Sequence, residues 1–301
     1  MIDSIKYIYT DNSQNVNLLE TIPNYFDVIS EHSYNGDYML SGQLDNLRIK
    51  VKKNRLTIEN SLCRWFLGNN IETLSREQTQ MANEKLSDIF HIDINQAKVT
   101  RLDLARTFQM DYPVECYFDT LGKLNRFQRL EQPNGIIYRT KSKELIFYDK
   151  IKELKSKNEA NKQHLINQLR YEHRFKNSLP KHFNRAEITP ETLSEERFFE
   201  IAVTKYIEAY KQIQKNETFN LSFGNVKGVK GLSNFGIAYL LNNVTTHKLI
   251  HQITQDYKAG IITEKEKRGM KQKIKSIEKD NAFLFDSKFL NELNKKIVIS
   301  L

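Results

Sequence analysis

The sequence predicts a mixed α/β domain followed by a mainly helical region. In the first half, apolar and polar residues alternate with the period of two that marks strands. After residue 190, apolar residues instead recur at helical spacing. No apolar run approaches the roughly 20 residues needed to cross a bilayer. We therefore expect one domain over residues 1–185 and a second, mainly helical one over 186–301.

The individual elements are expected in the following order along the chain. Alternation predicts strands over 4–9, 38–51, 55–61, 99–109, 136–140, 145–148 and 169–176. Helical spacing predicts helices over 76–90, 112–128 and 150–167. Pro190 predicts a helix that begins near Thr189 and runs to about residue 214, and residues 233–301 are mostly helical in pattern.

The composition indicates a folded, basic protein. Its 301 residues can bury a core, and 39% hydrophobic with 28% charged residues excludes a disordered chain. The net charge of +9 is unevenly distributed, because residues 123–185 carry 16 basic and 6 acidic groups while the first 90 are net acidic. Clustered positive charge favours nucleic acid as the partner. The alternative is a basic surface that serves solubility.

The chain start and the cysteines indicate a compartment. The first residues contain neither a basic segment nor an apolar one, so we expect no signal peptide. The two cysteines, Cys63 and Cys116, form no CxxC pair. A reducing cytoplasm is therefore the expected location, with no membrane partner.

Three predicted strands place carboxylates on their polar faces. Asp103 shares a face with Arg101, Glu172 shares one with Arg170 and Arg174, and Glu59 lies on the polar face of 55–61. A polar outer sheet face explains each acid taken singly. Together they suggest a site, because carboxylate oxygens suit Mg²⁺ or Mn²⁺ and arginines suit phosphate.

A tyrosine and a lysine complete the groups needed for phosphoryl transfer. Tyr148 and Lys150 share one side of the segment 144–150. A metal would polarise the phosphate, the phenolate would attack it, and a cation would neutralise developing charge. Tyr138, on the preceding predicted strand, is the best rival nucleophile, whereas Tyr171 falls on an apolar face and is expected in the core.

Four segments in order resemble a known family. They are IENSLCRWFLGNN (58–70), TRLDLARTF (100–108), LIFYDK (145–150) and LRYEHRF (169–175). The sequence here is similar to rolling-circle replication initiators of the filamentous-phage gene II type and of small plasmids. The resemblance covers roughly residues 38–180, and each motif alone is weak.

The resemblance implies a metal-dependent DNA nicking and joining enzyme. Tyr148 matches the nucleophile that becomes linked to a 5′ phosphate, and Lys150 follows the same tyrosine–x–lysine pattern. Asp103 and Glu172 match carboxylates that hold Mg²⁺ or Mn²⁺, with Glu59 as a looser third ligand. The implied fold is a central antiparallel sheet with flanking helices, related to the nicking-endonuclease fold. The basic residues expected to contact DNA are Arg101, Arg139, Lys141, Lys143, Arg170 and Arg174.

The same features leave several functions and partners open. The leading interpretation is a phage or plasmid initiator that nicks and reseals its origin, as single-stranded or supercoiled DNA. A conjugative relaxase would use the same chemistry, and a non-catalytic DNA-binding regulator could keep the fold. A tyrosine recombinase fits less well, since it uses no metal and attaches to a 3′ phosphate. The helical region 186–301 is expected to recognise the origin, form a homodimer, or contact a host helicase or single-strand-binding protein.

Overall fold

The protein is described by a computed structural model over residues 1–11, 17–34, 37–157, 166–216, 228–244, 246–278 and 288–299. Ten strands form one sheet. They are β1 (Ile2–Thr10), β2 (Asp27–Tyr34), β3 (Asp37–Leu44), β4 (Leu47–Lys52), β5 (Arg55–Ser61), β6 (Lys98–Gln109), β7 (Gln128–Gln132), β8 (Gly135–Arg139), β9 (Lys143–Asp149) and β10 (Gln168–Phe175).

The sheet is antiparallel throughout, which confirms the expected fold class. Its spatial order is β2-β3-β4-β5-β1-β6-β10-β9-β8-β7. Hairpins build the two flanks, so β2 to β5 follow one another on one side and β7 to β9 on the other. Strands from distant parts of the chain meet in the middle, where β1 and β10 flank β6.

The helices are mostly short in the sheet domain and longer towards the C-terminus. They are α1 (Leu18–Thr21), α2 (Leu62–Leu67), α3 (Arg76–Phe90), α4 (Glu115–Phe118), α5 (Lys150–Ser156), α6 (Leu179–His182), α7 (Pro190–Ser194), α8 (Glu196–Lys211), α9 (Gly228–Val244), α10 (Thr246–Lys258), α11 (Glu264–Glu278) and α12 (Lys288–Asn294). A π-helical turn, Lys295–Ile299, follows α12. No helix among the described residues is long and apolar enough to cross a membrane.

One face of the sheet packs against helices and forms the core. The Tyr7 hydroxyl donates to Asn83 in α3 at 2.9 Å. Tyr171 and Tyr206 of α8 each donate to the other's carbonyl oxygen, and the Tyr171 ring stacks on Phe147. This packing confirms Tyr171 as a core residue. The opposite face is therefore the one that can carry a site.

The chain divides into two compact units. One comprises Met1–Lys215 together with Glu292–Leu301, and the other comprises Asn216–Asn291. The C-terminal segment belongs with the sheet unit because Leu293 and Ile297 are fully buried and Glu292 accepts a hydrogen bond from the Asp111 amide. The boundary between the compact units thus follows Lys215 and lies inside the expected second domain. That residues 1–185 carry the catalytic function and residues 186–301 recognition stays a prediction.

Several predicted elements differ from those observed. Residues 38–51 form two strands, because the chain turns at Asp45, whose φ is +51°. The helix predicted over 112–128 shrinks to α4, because the chain turns at Asp119 and Thr120 and the Gly122 amide then donates to the Gln214 carbonyl. Of the helix predicted over 150–167, α5 accounts for the start, and residues 158–165 lie outside the described part. The predicted elements omit β2, β7, α1 and α6.

Candidate active site

The central strands place the predicted acids and bases side by side on the open face. In the sheet register, Arg174 of β10 lies opposite Asp103 of β6, and Arg170 lies opposite Tyr148 of β9. Side chains alternate between the faces of a strand, so Asp103, Glu172 and Tyr148 share one face. The predicted alternation therefore brings these three groups together from distant parts of the chain.

Glu172 receives the Tyr148 hydroxyl. The hydroxyl donates to Glu172 Oε1 at 2.8 Å. The same carboxylate, 2% exposed, accepts from Arg170 Nε at 3.0 Å and forms an ion pair with Arg174 Nη2 at 2.6 Å. Burial alone would raise the pKa of Glu172, but the two guanidinium groups outweigh it and lower that pKa to about 2. Glu172 is thus an ionised carboxylate held against the tyrosine.

Asp103 is held by a bidentate arginine. Arg101 donates from Nε to Oδ1 at 3.0 Å and from Nη2 to Oδ2 at 2.8 Å. Arg174 Nε lies 3.7 Å from the same Oδ2. Burial nevertheless raises the pKa of Asp103 to about 6. Because Arg174 contacts both Asp103 and Glu172, the two carboxylates are neighbours that share one guanidinium.

Tyr148 is protonated in this environment. Burial raises its pKa well above 10, and the negative charge of Glu172 raises it further. A neutral phenol is a weak nucleophile, so a positive charge must approach before it can attack. The other candidate, Tyr138, is buried on the opposite face, where its hydroxyl donates to the Gly122 carbonyl.

Lys150 lies beneath the tyrosine rather than in the open cavity. It begins α5, its side chain is fully buried, and its Nζ donates to Glu153 at 2.8 Å. The ammonium lies 5.9 Å from the centre of the Tyr148 ring, and burial lowers the pKa of Lys150. The lysine is therefore near the tyrosine, and its partner Glu153 lines the cavity whereas Lys150 does not.

A cavity of about 260 Å³ opens above these groups. Its charged lining consists of five acids and four bases: Asp3, Glu59, Asp103, Glu153, Glu172, Arg48, Arg101, Lys157 and Arg174. Glu59 belongs to this set through Arg101, whose Nη1 lies 3.8 Å from Glu59 Oε1. All four predicted catalytic and metal-binding residues other than Lys150 thus line one cavity.

Asp3 was not predicted as a site residue. It is buried, accepts from the Ser61 hydroxyl at 2.9 Å, and lies 3.2 Å from Arg170 Nη2. The register of β1 against β6 shifts between Ile2 and Ser4, so strand alternation could not predict which face Asp3 occupies. The remaining sequence signal for Asp3 is the presence of an acidic residue at the start of a strand.

The predicted DNA-binding residues occupy four different environments. Arg170 is fully buried and donates to Glu172, to Thr107 and to the Asn70 carbonyl, so it supports the site from within. Arg101 and Arg174 are partly exposed at the cavity. Arg139, which binds Glu144, and Lys141 lie at the surface on the β8–β9 hairpin. Lys143 lines a separate cavity on the helix-covered side.

The carboxylates that line the cavity are of the chemical type that binds a divalent cation. Four carboxylates, those of Asp3, Glu59, Asp103 and Glu172, line one cavity, and oxygen ligands are those that Mg²⁺ and Mn²⁺ prefer. Their oxygens are engaged by arginines, and across the described residues no group of three acidic, histidine or cysteine side chains is already arranged to hold a metal. Metal binding would therefore require Arg101 and Arg174 to release their partners.

Comparison with known proteins identifies the family of the chain. A family model for the N-terminal part of the phage replication-associated protein of the gene II type matches residues 20–203, which is more than half of the chain. The match includes Glu59, Asp103, Tyr148 and Glu172. No curated protein matches the chain. The chain belongs to the family of phage replication-associated proteins of the gene II type.

Proposed function

We propose that this protein initiates rolling-circle replication by nicking one strand of its origin through Tyr148 and later resealing it. The observation that carries the proposal is the hydrogen bond from the Tyr148 hydroxyl to Glu172, beside Asp103, in a chain of this family. A tyrosine held against a carboxylate, with arginines that can bind phosphate, contains the groups that phosphodiester transfer needs.

The proposed step transfers the phosphodiester from one oxygen to another. The Tyr148 oxygen attacks the scissile phosphorus, the bond from phosphorus to the 3′ oxygen breaks, and a 5′-phosphotyrosine forms. Glu172 already accepts the hydrogen bond from the hydroxyl and so orients the oxygen for attack, while the phenolic proton passes to water and the leaving 3′ oxygen takes up a proton. Attack by a 3′ hydroxyl on the phosphotyrosine reverses the step and rejoins the strand.

The arginines are proposed to bind the phosphate that enters the cavity. Arg101 and Arg174 are partly exposed, and guanidinium groups bind phosphate in the same bidentate way as carboxylate. When they turn to the DNA, Asp103 and Glu172 are released, and with Glu59 these are the residues that would hold Mg²⁺ or Mn²⁺. Such an ion would supply the positive charge that lowers the pKa of Tyr148 and polarises the phosphate.

A nicking assay tests this proposal. Wild-type protein with Mg²⁺ or Mn²⁺ should convert supercoiled origin DNA to the open circle and form a covalent protein–DNA adduct. Tyr148→Phe should form no adduct while still binding the origin. Tyr38→Phe is the matched control, since Tyr38 is exposed on β3 away from the cavity. Adduct formation by Tyr148→Phe would refute the assignment, and origin binding without nicking by the wild type would favour a regulator.

The proposed partners follow from the same function. Origin DNA is the substrate, and a host helicase and single-strand-binding protein are the proteins expected to act on the nicked strand. The helical unit is the proposed region for origin recognition or for formation of a homodimer. A relaxase would share the chemistry, but the family match favours replication.

A further inference from the structure

A second cavity lies on the helix-covered side of the sheet, opposite the face that bears Tyr148. It measures about 110 Å³ and lies within the sheet unit, where the start of β9 and the end of β10 meet α6 and α8. Its main lining residues are Lys143, His173, Phe175, His182, Lys205 and Glu208. None of these residues has a part in the proposed nicking step.

Two histidines present unpaired nitrogens to this cavity. His173 is 3% exposed, and neither of its ring nitrogens makes a hydrogen bond of good geometry among the described residues, although the Lys205 backbone lies close to the ring. His182 Nε2 is also buried without a partner there. The Phe175 ring packs against both imidazoles. Its centroid lies 4.1 Å from that of the His173 ring and 5.5 Å from that of the His182 ring. Buried polar groups are normally hydrogen-bonded, so these nitrogens are available to a water molecule or to a ligand.

Two lysines add positive charge to the same space. In the described part of the chain, neither Lys143 nor Lys205 forms an ion pair, and each ammonium lies about 6 Å from an aromatic ring, of Phe127 and of Phe183 respectively. Both lysines line the same cavity, and burial together with the positive charge of Lys205 lowers the pKa of Lys143. Glu208, exposed at the rim, is the lining carboxylate.

We infer that this cavity binds a phosphate group. Two ammonium groups attract an anion, and imidazole N–H groups can donate to its oxygens, so one tetrahedral oxyanion would satisfy all four side chains. A metal cation is disfavoured because both lysines would repel it. The small volume suits a single phosphate rather than a whole nucleotide. This inference does not depend on the nicking chemistry proposed above.

Phosphate could come from two sources, a backbone phosphate of DNA or free inorganic phosphate, and one set of variants separates them. Binding of inorganic phosphate to the full chain is measured by calorimetry at constant ionic strength, and binding of a short origin oligonucleotide by anisotropy across a salt series. Lys205→Gln should weaken phosphate binding about tenfold, as expected for the loss of one charge-assisted contact. Glu208→Gln should strengthen it. Lys211→Gln, an exposed lysine at the end of the same helix, should change nothing.

The oligonucleotide series identifies the source. If DNA supplies the phosphate, Lys205→Gln also weakens oligonucleotide binding and reduces its salt slope by about one. If free phosphate is the ligand, oligonucleotide binding is unchanged. Equal affinity of wild type and Lys205→Gln for both probes would overturn the inference, as would a 15N-histidine spectrum in which His173 and His182 do not respond to phosphate. Adduct formation through Tyr148 is scored separately, so either proposal can fail alone.

Discussion

Arg174 occupies the position on which the site's electrostatics depend. Its guanidinium contacts Glu172 at 2.6 Å and Asp103 at 3.7 Å, and it also approaches Glu144 at 3.9 Å. It therefore neutralises the acids that the metal would need. Alternation alone correctly predicts that each acid shares a face with the arginines of its own strand. The contact between Arg174 and Asp103 joins two strands and depends on their register, which a single sequence does not reveal.

Removal of Arg174 should expose the acids to a cation. Arg174→Gln should bind Mn²⁺ in the absence of DNA about tenfold more tightly than wild type, a gain of ~1.4 kcal/mol, because one competing charge is gone. Arg185→Gln, which removes a comparable arginine paired with Glu195 outside the site, is the control. Titration followed by electron paramagnetic resonance measures the affinity. Identical Mn²⁺ binding by the wild type and Arg174→Gln would contradict this view of Arg174.

His173 should make the protein sensitive to acid. Burial lowers its pKa to about 3 in the folded state, against an ordinary value of 6.5. The unfolded chain therefore binds a proton that the folded one does not, and stability falls as pH drops from 6.5 towards 3. The free energy of unfolding should fall by on the order of 4 kcal/mol between pH 6.5 and about 3.

Urea unfolding at several pH values, with EDTA present, measures the effect. His173→Phe should flatten the slope of stability against pH between 6.5 and 4. His91→Phe is the control, since His91 is exposed at the end of α3. The slope is compared rather than the absolute stability, because the larger ring also changes the packing. An unchanged slope in His173→Phe would show that the buried imidazole titrates normally.

At the scale of elements, the β8–β9 hairpin positions the tyrosine through close packing. Gly135 lies opposite Tyr148 in the register, and a Cβ at that position would collide with the Phe147 carbonyl oxygen and come within 2.8 Å of Tyr148 Cβ. The hairpin itself was predictable, because the polar turn Lys141-Ser142-Lys143 and the alternation on both sides of it are local signals. The steric need for glycine opposite the tyrosine could not be predicted, because it arises from contact with the neighbouring strand.

Gly135→Ala should therefore disturb both stability and nicking. We expect a loss of about 1–3 kcal/mol from overpacking, together with slower adduct formation, since Tyr148 must shift. Thermal unfolding and the nicking assay measure the two effects. Gly269→Ala provides the contrast, because a Cβ there meets no atom within 4 Å and should stabilise the exposed helix α11 by about 0.5–1 kcal/mol. Full nicking by Gly135→Ala would mean that the tyrosine tolerates displacement.

The elements that failed prediction share a physical cause. The helix expected over 112–128 has helical spacing, yet the chain there turns and Leu121 bridges to Lys215. Local propensity was overridden by a contact 94 residues away, which no window of sequence can reveal. The strands β1, β5, β6 and β10 were predicted because apolar and polar residue types alternate along most of each strand in the sequence.

At the scale of the whole molecule, the end of the described chain returns to the sheet unit. Leu293 is fully buried, Glu292 accepts from the Asp111 amide, and Tyr210 donates to Asn294 at 2.7 Å. The pattern assigned this segment to the helical region, because helical spacing does not say which unit a helix packs against. Residues 292–299 thus act as part of the core of the unit that carries Tyr148.

Leu293→Ala should destabilise that unit. Loss of a fully buried leucine costs about 2–5 kcal/mol, and the loss should appear in the transition that also abolishes nicking. Leu232→Ala, at an exposed position of α9, should change stability by less than about 0.5 kcal/mol. Denaturant unfolding of the full chain gives both numbers. A Leu293→Ala protein as stable as Leu232→Ala would contradict the assignment of this segment.

The central claim is that Tyr148 is the residue that becomes joined to DNA. Its most direct test is to trap the adduct on origin DNA, digest it, and identify the modified peptide and the DNA end by mass spectrometry. We expect a 5′ phosphate on Tyr148, within the peptide that contains Leu145–Asp149. A phosphate on any other tyrosine, or attachment through a 3′ phosphate, would contradict it.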